Sequence, residues 1–269
     1  MGISNVKNTP IVANSINTQK NAATSGYIKR SAADSFELSG RVHVGNYPFS
    51  NIKNEILASM FPQALITKYG NRQFLEAAME ANPKIEEILD SVNIPKKINM
   101  ENINSGINSH FTPTQKTALG IMKHCGENFS TQDYNTMIQA TMLHDIGKAF
   151  IPKEILNKPG ALAKIEKQIV DIHSLLGYEI LKTGGVSTRV LNLVKNHHNY
   201  DDALKNDIDY SLHQIIKIAD IWSALKEKRS YKEAFDNETA LKILYEDAIK
   251  GKFEIKYIDA LKKFIKSVA

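Results

Sequence analysis

Met142-Leu143-His144-Asp145-Ile146-Gly147-Lys148 is the stretch around which the rest of the chain organises itself. Adjacent His144 and Asp145, near the end of an apolar helical run, project about 100° apart and can address two sides of one site. Lys148 follows His144 by four residues, on the same helical face. Alone, this is also what a helix end looks like when its His and Lys complement the dipole. The residues outward from it decide the matter. His110 precedes it, and His173, the pair His197-His198 and Asp220 follow. His173 lies on an apolar stripe beside Ile172 and Leu176, with Gly177 one turn later leaving room for a neighbour. Asp220 stands within Ile216-Lys217-Ile218-Ala219, where an acid needs a cation. Five of the eight histidines and two acids are too many ligands for one four-coordinate ion, so the pattern suggests two metals. A two-metal centre built on helices points to phosphate-ester cleavage.

Composition agrees with a helical, metal-binding enzyme of moderate size. Apolar residues make up 42% of 269, enough for a core, while 14 Gly and 8 Pro are few for a sheet-rich protein. A formal charge of +5 suits an acidic small ligand such as a nucleotide and is too weak to argue for duplex nucleic acid. Cys125 is the sole cysteine, so no intramolecular disulfide forms, which fits a reducing cytoplasm. No apolar run approaches the ~20 residues that span a bilayer, and no compact apolar segment follows a basic start. The expected location is therefore cytoplasmic, without membrane contact.

Three stretches are expected. Residues 1–45, rich in Asn, Ser, Thr and Ala, form a flexible tail. Residues 46–97 form a small helical accessory region, with Ile52, Ile56, Leu57 and Met60, then Phe74, Leu75 and Met79, then Ile85, Ile88 and Leu89 at helical spacing. Residues 98–269 form the main domain, and the whole is all-α. Thr112-Pro113 opens a helix to His124 that stops at Gly126. Ser130 caps the next, with Asp133 in its first turn, and that helix ends near Gly147. A long helix over 163–182 turns Ile165, Ile169, Ile172, Leu176 and Ile180 inward, and further helices cover 187–198, 210–227, 238–249 and 257–268.

From about residue 100 onward the chain resembles the HD-GYP branch of the HD-domain metal-dependent phosphohydrolases. The stretches that carry the resemblance are His144-Asp145-Ile146-Gly147-Lys148 with Ile151-Pro152, Ile155-Leu156-Asn157-Lys158-Pro159-Gly160, and His173-Ser174-Leu175-Leu176-Gly177. His197-His198, Ile218-Ala219-Asp220, Arg229-Ser230-Tyr231 and Gly251-Lys252-Phe253 complete it. The resemblance implies an HD-domain helical bundle whose metal ligands are His110, His144, Asp145, His173, His197, His198 and Asp220. It implies that Lys148 contacts the substrate phosphate or metal-bound water, that Asp145 is catalytic, and that Arg229 and Tyr231 bind substrate. His124 competes with His110 for the first ligand position and is expected on the surface instead.

The departures are specific. Gly106 stands where members with a third metal carry Glu, so two divalent ions are expected, iron or manganese, with zinc also suited. Asn199 replaces the acid after the paired histidines, Ser223 replaces the second acid of an Asp-x-x-Asp segment, and the Gly-Tyr-Pro loop is absent from a shortened 199–209. The cage is expected intact while the substrate-facing loop is altered. The expected function is a phosphodiesterase acting on a cyclic dinucleotide or related nucleotide through metal-activated hydroxide. The alternative is a catalytically silent signalling module that binds such a ligand. A protein partner through residues 1–97 and a homodimer are both left open.

Overall fold

The computed structural model describes residues 64–228 and 233–268. The expected tail, the helix carrying Ile52, Ile56, Leu57 and Met60, and the two substrate-binding residues Arg229 and Tyr231 lie outside the described residues.

Asparagines open the first two labelled helices. Asn71 Oδ1 accepts the Phe74 amide at 2.8 Å at the start of α1 (Arg72–Ala81). Asn82 accepts the Lys84 amide at 3.2 Å, and Pro83 pre-sets the backbone of α2 (Pro83–Ser91). There follow α3 (Met100–Gly106), a wide helical turn at Ile107–Phe111 and α4 (Thr112–His124). After them come α5 (Thr131–Leu143), a tight turn at Ile146–Phe150, α6 (Lys164–Asp171), α7 (His173–Thr183) and α8 (Thr188–Asn196). The chain closes with α9 (Tyr210–Lys226), α10 (Asn237–Ile249) and α11 (Ile255–Val268). Among the described residues there is no strand, and no helix is long and apolar enough to cross a membrane.

α4 is the central helix, packed against α5, α9 and α11. Gly120 makes one of these approaches possible: a Cβ there would lie 2.4 Å from Cγ of Phe264 on α11. α1 and α2 turn Leu75, Ala78, Ile85, Ile88 and Leu89 inward and cover α7, where Asn82 donates to the buried Glu179 carboxylate at 2.9 Å. Arg189 holds α8 in place: its guanidinium donates to Asp209 Oδ2 at 2.8 Å and to Asp133 Oδ1 at 2.7 Å, tying α8 to the starts of α9 and α5.

Several expected boundaries are found. α4 spans Thr112–His124, and Gly126 follows with φ +82°, a conformation that favours glycine. The Ser130 hydroxyl accepts the Asp133 amide while the Asp133 carboxylate accepts the Ser130 amide, a capping box.

Two expectations are corrected. α5 ends at Leu143, not near Gly147, because residues 146–150 tighten into a turn that presses Gly147 onto α7. A Cβ on Gly147 would sit 2.1 Å from the His173 carbonyl oxygen and 2.7 Å from the Gly177 amide nitrogen. The helix expected over 163–182 is two helices that bend at Ile172. α6 lies outside and buries only Ile169, leaving Ile165 55% exposed, while α7 runs within the bundle. The continuous apolar spacing hid the bend, since α6 carries its apolar residues on a surface helix.

The Gly147 contact is to backbone on both sides and cannot be relieved by a rotamer change. Gly147→Ala is expected to lower the unfolding free energy by about 3 kcal/mol, the size of a core overpacking defect. Urea denaturation of the two proteins tests this; an unchanged midpoint would show that the turn does not press on α7.

Candidate metal centre

The seven expected ligands come from five separate places in the chain. His110 sits in the wide turn before α4, His144 and Asp145 end α5, and His173 begins α7. His197 and His198 end α8, and Asp220 projects from the middle of α9. The fold brings all seven together. His110 Nε2 is 2.8 Å from Asp220 Oδ1 and 3.5 Å from Asp145 Oδ2. His144 Nε2 lies 3.4 Å from Asp145 Oδ2 and 3.6 Å from Asp220 Oδ1. His173 Nε2 is 3.2 Å from Asp145 Oδ1 and 3.0 Å from His197 Nε2. His198 Nδ1 stands 3.8 Å from Asp220 Oδ2. All are buried except His198, which is partly open to solvent.

One local rule orients three of the imidazoles. A helix leaves its last carbonyls without amide partners. His144 Nδ1 is 2.8 Å from the Thr141 carbonyl, His173 Nδ1 is 2.6 Å from that of Val170, and His197 Nδ1 is 2.7 Å from that of Val194. Each acceptor is three residues back, in the final turn of α5, α6 or α8. A carbonyl can only accept, so the ring proton resides on Nδ1 and the Nε2 lone pair faces the cluster. His173 Nε2 and His197 Nε2, 3.0 Å apart, then present lone pairs to each other. His144 Nε2 and Asp145 Oδ1 are likewise buried without a hydrogen-bond partner. Orphaned buried acceptors aimed at one another fit a bound cation.

The donors divide into groups that could hold metal. His173, His197 and His198 make one, and His110, His144 and Asp145 another, with the ligand atoms of each within 4.8 Å of one another. These two share no residue. A third group, His144, His197 and Asp220, lies across both. Asp145 turns Oδ1 toward His173 and Oδ2 toward His110 and His144, so its carboxylate straddles the two.

The electrostatics follow. Burial pulls the His144 imidazole down, but Asp145 and Asp220 outweigh it and raise it above its ordinary value. Burial works to raise Asp145, yet His144, Lys148 and His173 hold it well below the usual carboxylate range. Asp220 is held low against burial by His110 and His144. Burial, then the charges of neighbouring imidazoles, keeps His197 far below an ordinary histidine. His198 falls to about 4, chiefly through burial.

Lys148 does not share a helical face with His144, because α5 has already ended. Its Nζ instead meets Asp145 Oδ2 at 2.7 Å and remains at the edge of a cleft of about 600 Å³. Lys167, Lys195 and Tyr200 also line this cleft. None of the three was singled out in the sequence: Lys167 and Lys195 read as ordinary solvated lysines on amphipathic helices, and only Tyr200's place just after His197-His198-Asn199 hinted at a role. His124 is no ligand, but it is half-buried against Phe264 and bonded to the Gly120 carbonyl at 2.9 Å, not the surface residue expected. Gly106 has no room for a longer side chain, since a Cβ would come 2.9 Å from the Phe111 ring. Asn199 Oδ1 accepts the Asp201 amide at 2.9 Å. Ser223 is buried, and its hydroxyl has no partner.

The profile of the HD domain family matches residues 99–255. Among curated proteins, the chain is similar to the cyclic di-GMP phosphodiesterase response regulator RpfG of Xanthomonas campestris pv. campestris, 33% identical over 141 residues, 49% of this chain and 37% of that protein. It is similar to the 3'3'-cGAMP-specific phosphodiesterase 2 of Vibrio cholerae serotype O1, 36% identical over 133 residues, 45% of this chain and 25% of that one. It is similar to the cyclic di-GMP phosphodiesterase PdeB of Borreliella burgdorferi, 27% identical over 168 residues, 60% of this chain and 44% of the other. The matches thus span between a quarter and less than half of these relatives' lengths.

A protonated imidazole cannot ligate. The raised value at His144 means that its protonated form persists to higher pH, so acid competes with metal as pH falls through the ordinary histidine value of about 6.5. Metal content after dialysis, measured by atomic emission, is expected to be full near pH ~8 and reduced near pH ~5, with loss from the group that contains His144 before the one that contains His197 and His198. Full retention at the lower pH would count against imidazole ligation.

Proposed function

The chain belongs to the HD domain family, and from that premise we propose that it is a metal-dependent phosphodiesterase acting on a cyclic dinucleotide or a related nucleotide. The observation that carries this is the convergence of seven donors, with Asp145 straddling two non-overlapping groups. His110, His144 and Asp145, with Asp220 beside them, would hold one divalent ion; His173, His197 and His198, with Asp145, would hold the other. Imidazoles mixed with carboxylates suit iron or manganese, and zinc also fits. When bound, such a pair supplies an acidified water and Lewis-acid polarisation of a phosphoryl oxygen.

The chain's own groups provide the rest. The carbonyls of Thr141, Val170 and Val194 fix the tautomer and aim of three rings, so the ligands need little rearrangement. Lys148 Nζ, at the cleft edge beside Asp145, is placed to donate to a phosphoryl oxygen. Lys195 adds positive charge along the wall and has no carboxylate partner among the described residues, whereas Lys167 is paired to Asp171 at 2.8 Å. A cleft of about 600 Å³ is of a size that small-molecule sites occupy. Relatives named for cyclic di-GMP and 3'3'-cGAMP support a cyclic dinucleotide as the class of substrate. Arg229 and Tyr231 are proposed to bind it as well, on the strength of their match to the family's Arg-Pro-Tyr segment.

A second reading is favoured by Asn199 and Ser223, which stand where the HD-GYP branch carries acids. With recognition altered and the cage kept, the domain would bind its ligand without turnover. Residues 1–97 would then be the part that meets a protein partner, and a homodimer is compatible with either reading.

His144→Ala and Asp145→Ala are expected to lose bound metal and hydrolysis of a chromogenic phosphodiester together. Either variant keeping full activity would sink the proposal; wild-type protein that carries metal but turns over neither this probe nor a panel of cyclic dinucleotides would establish the second reading. Lys148→Met is expected to keep its metal while kcat/KM falls about a hundredfold, the size of losing one transition-state donor. Equal loss of metal in that variant would show that Lys148 serves Asp145 alone.

A further inference from the structure

Tyr200 brings a phenol ring to a cleft whose other lining rings are imidazoles. It lines the cleft together with His198 and Asp220, and it remains 42% exposed. Its backbone is pinned on both sides: the Asn199 amide donates to the Asn196 carbonyl at 2.9 Å, and the Asp201 amide donates to Asn199 Oδ1 at 2.9 Å. The ring is backed as firmly. Phe253, itself buried, meets it edge-on with centroids 5.7 Å apart. Lys217 Nζ lies over the ring 5.2 Å from its centroid, and Lys252 Nζ, ion-paired to Asp247, lies 5.9 Å away.

Lys217 makes this arrangement unusual. It is 2% exposed, and among the described residues it has neither a carboxylate partner nor a hydrogen bond. Burial draws its ammonium down to about 8, and the π face of Tyr200 is the compensating contact it has. An ammonium against a ring withdraws electron density from it and so favours stacking with an electron-rich heterocycle. The Tyr200 hydroxyl, by contrast, makes no hydrogen bond to any described residue, so the ring and not the phenol is what the structure secures.

We propose that Tyr200 is the stacking platform for a planar heterocyclic base of the substrate, so that the cleft takes a nucleotide phosphoester in preference to one without a base. This rests on the phosphoester reading above and extends it by assigning the group that recognises the base. The ring is within two residues of His198 in the chain, so a base on Tyr200 lies beside the metal-facing end of the cleft, where its phosphate would be wanted. Because every base has a π face, stacking of this kind accepts a purine without reading its edge.

The test is calorimetric titration of the metal-loaded full chain with guanosine 5'-monophosphate and with ribose 5-phosphate. Wild-type protein is expected to bind the nucleotide at least tenfold more tightly, the size of one base–aromatic stack. Tyr200→Phe should keep that preference, and Tyr200→Ala should abolish it while ribose 5-phosphate affinity changes less than about threefold. Should the alanine variant fail to fold, Tyr200→Leu, which keeps bulk without a π face, carries the same expectation. Equal affinity of wild type for the two ligands, or a preference that survives in the alanine or leucine variant, overturns the proposal. Turnover of a chromogenic phosphodiester without base preference leaves the phosphodiesterase standing and removes Tyr200 from it. Base preference without turnover does the reverse, and binding of neither ligand removes both.

Discussion

Lone pairs aimed at lone pairs are the constraint on which this structure depends. His173 Nε2 and His197 Nε2 approach to 3.0 Å, and two carboxylates held in their ionised form complete the same buried cluster. Among hydrophobic helices such a set is destabilising unless positive charge joins it. The protein's own contribution is small: Lys148 reaches Asp145, and a raised His144 favours a proton there. Neither relieves the lone pairs that His173 Nε2 and His197 Nε2 turn toward each other. Divalent cations do, and the arrangement makes sense as a cage whose stability is linked to their binding.

The cage is assembled by helix ends, and this explains how distant segments can be positioned with precision. Three imidazoles take their aim from the terminal carbonyls of α5, α6 and α8, so the element that delivers each ligand also fixes its tautomer. The remaining requirement is that those ends meet. Gly147 and Gly177 allow the tight turn after Asp145 to touch the backbone of α7 beside His173. The Arg189 bonds to Asp209 and Asp133 set α8, and with it His197 and His198, against the same place. Asp220 differs, projecting from mid-helix on α9 between apolar sequence neighbours, and its carboxylate is met by His110 at 2.8 Å.

What could be read from the sequence follows from this division. Histidines and acids are chemically distinctive, and the family resemblance picked His110, His144, Asp145, His173, His197, His198 and Asp220 among them as candidate ligands before any geometry. Caps and stops were legible because Ser130, Gly126 and Pro113 act over a few residues. The bend at Ile172 was not, since the apolar period runs through it and only tertiary packing separates a surface helix from an inner one. Lys148 was placed on a helical face that α5 no longer has, because the early end of that helix is imposed by contact with α7. Lys167 and Lys195 gave no signal of their own and Tyr200 only its place after the paired histidines, for a cleft wall is made of residues that are unremarkable until they face one another.

Cage and cleft wall therefore rest on different physical footing, and they can change independently. A donor in the cage lies against several other donors, and three of the imidazoles are tied to helix termini as well, so replacing one disturbs the whole cluster. A wall residue such as Asn199 or Tyr200 sits in a short turn held by its own local hydrogen bonds. Replacing an acid by Asn199 removes one negative charge near the mouth without touching Nε2 of any ligand. Ser223, one helical turn beyond Asp220, is buried behind the cleft lining, and its hydroxyl asks for a single hydrogen bond and not for a counter-charge. Asn199 lines the mouth together with Lys195, which has no carboxylate partner among the described residues, while Lys148 and Lys167 are paired to Asp145 and Asp171. A wall altered at Asn199 changes what the cleft offers to a ligand while the side chains of the cage keep their places, so recognition can diverge without moving any of the seven donors.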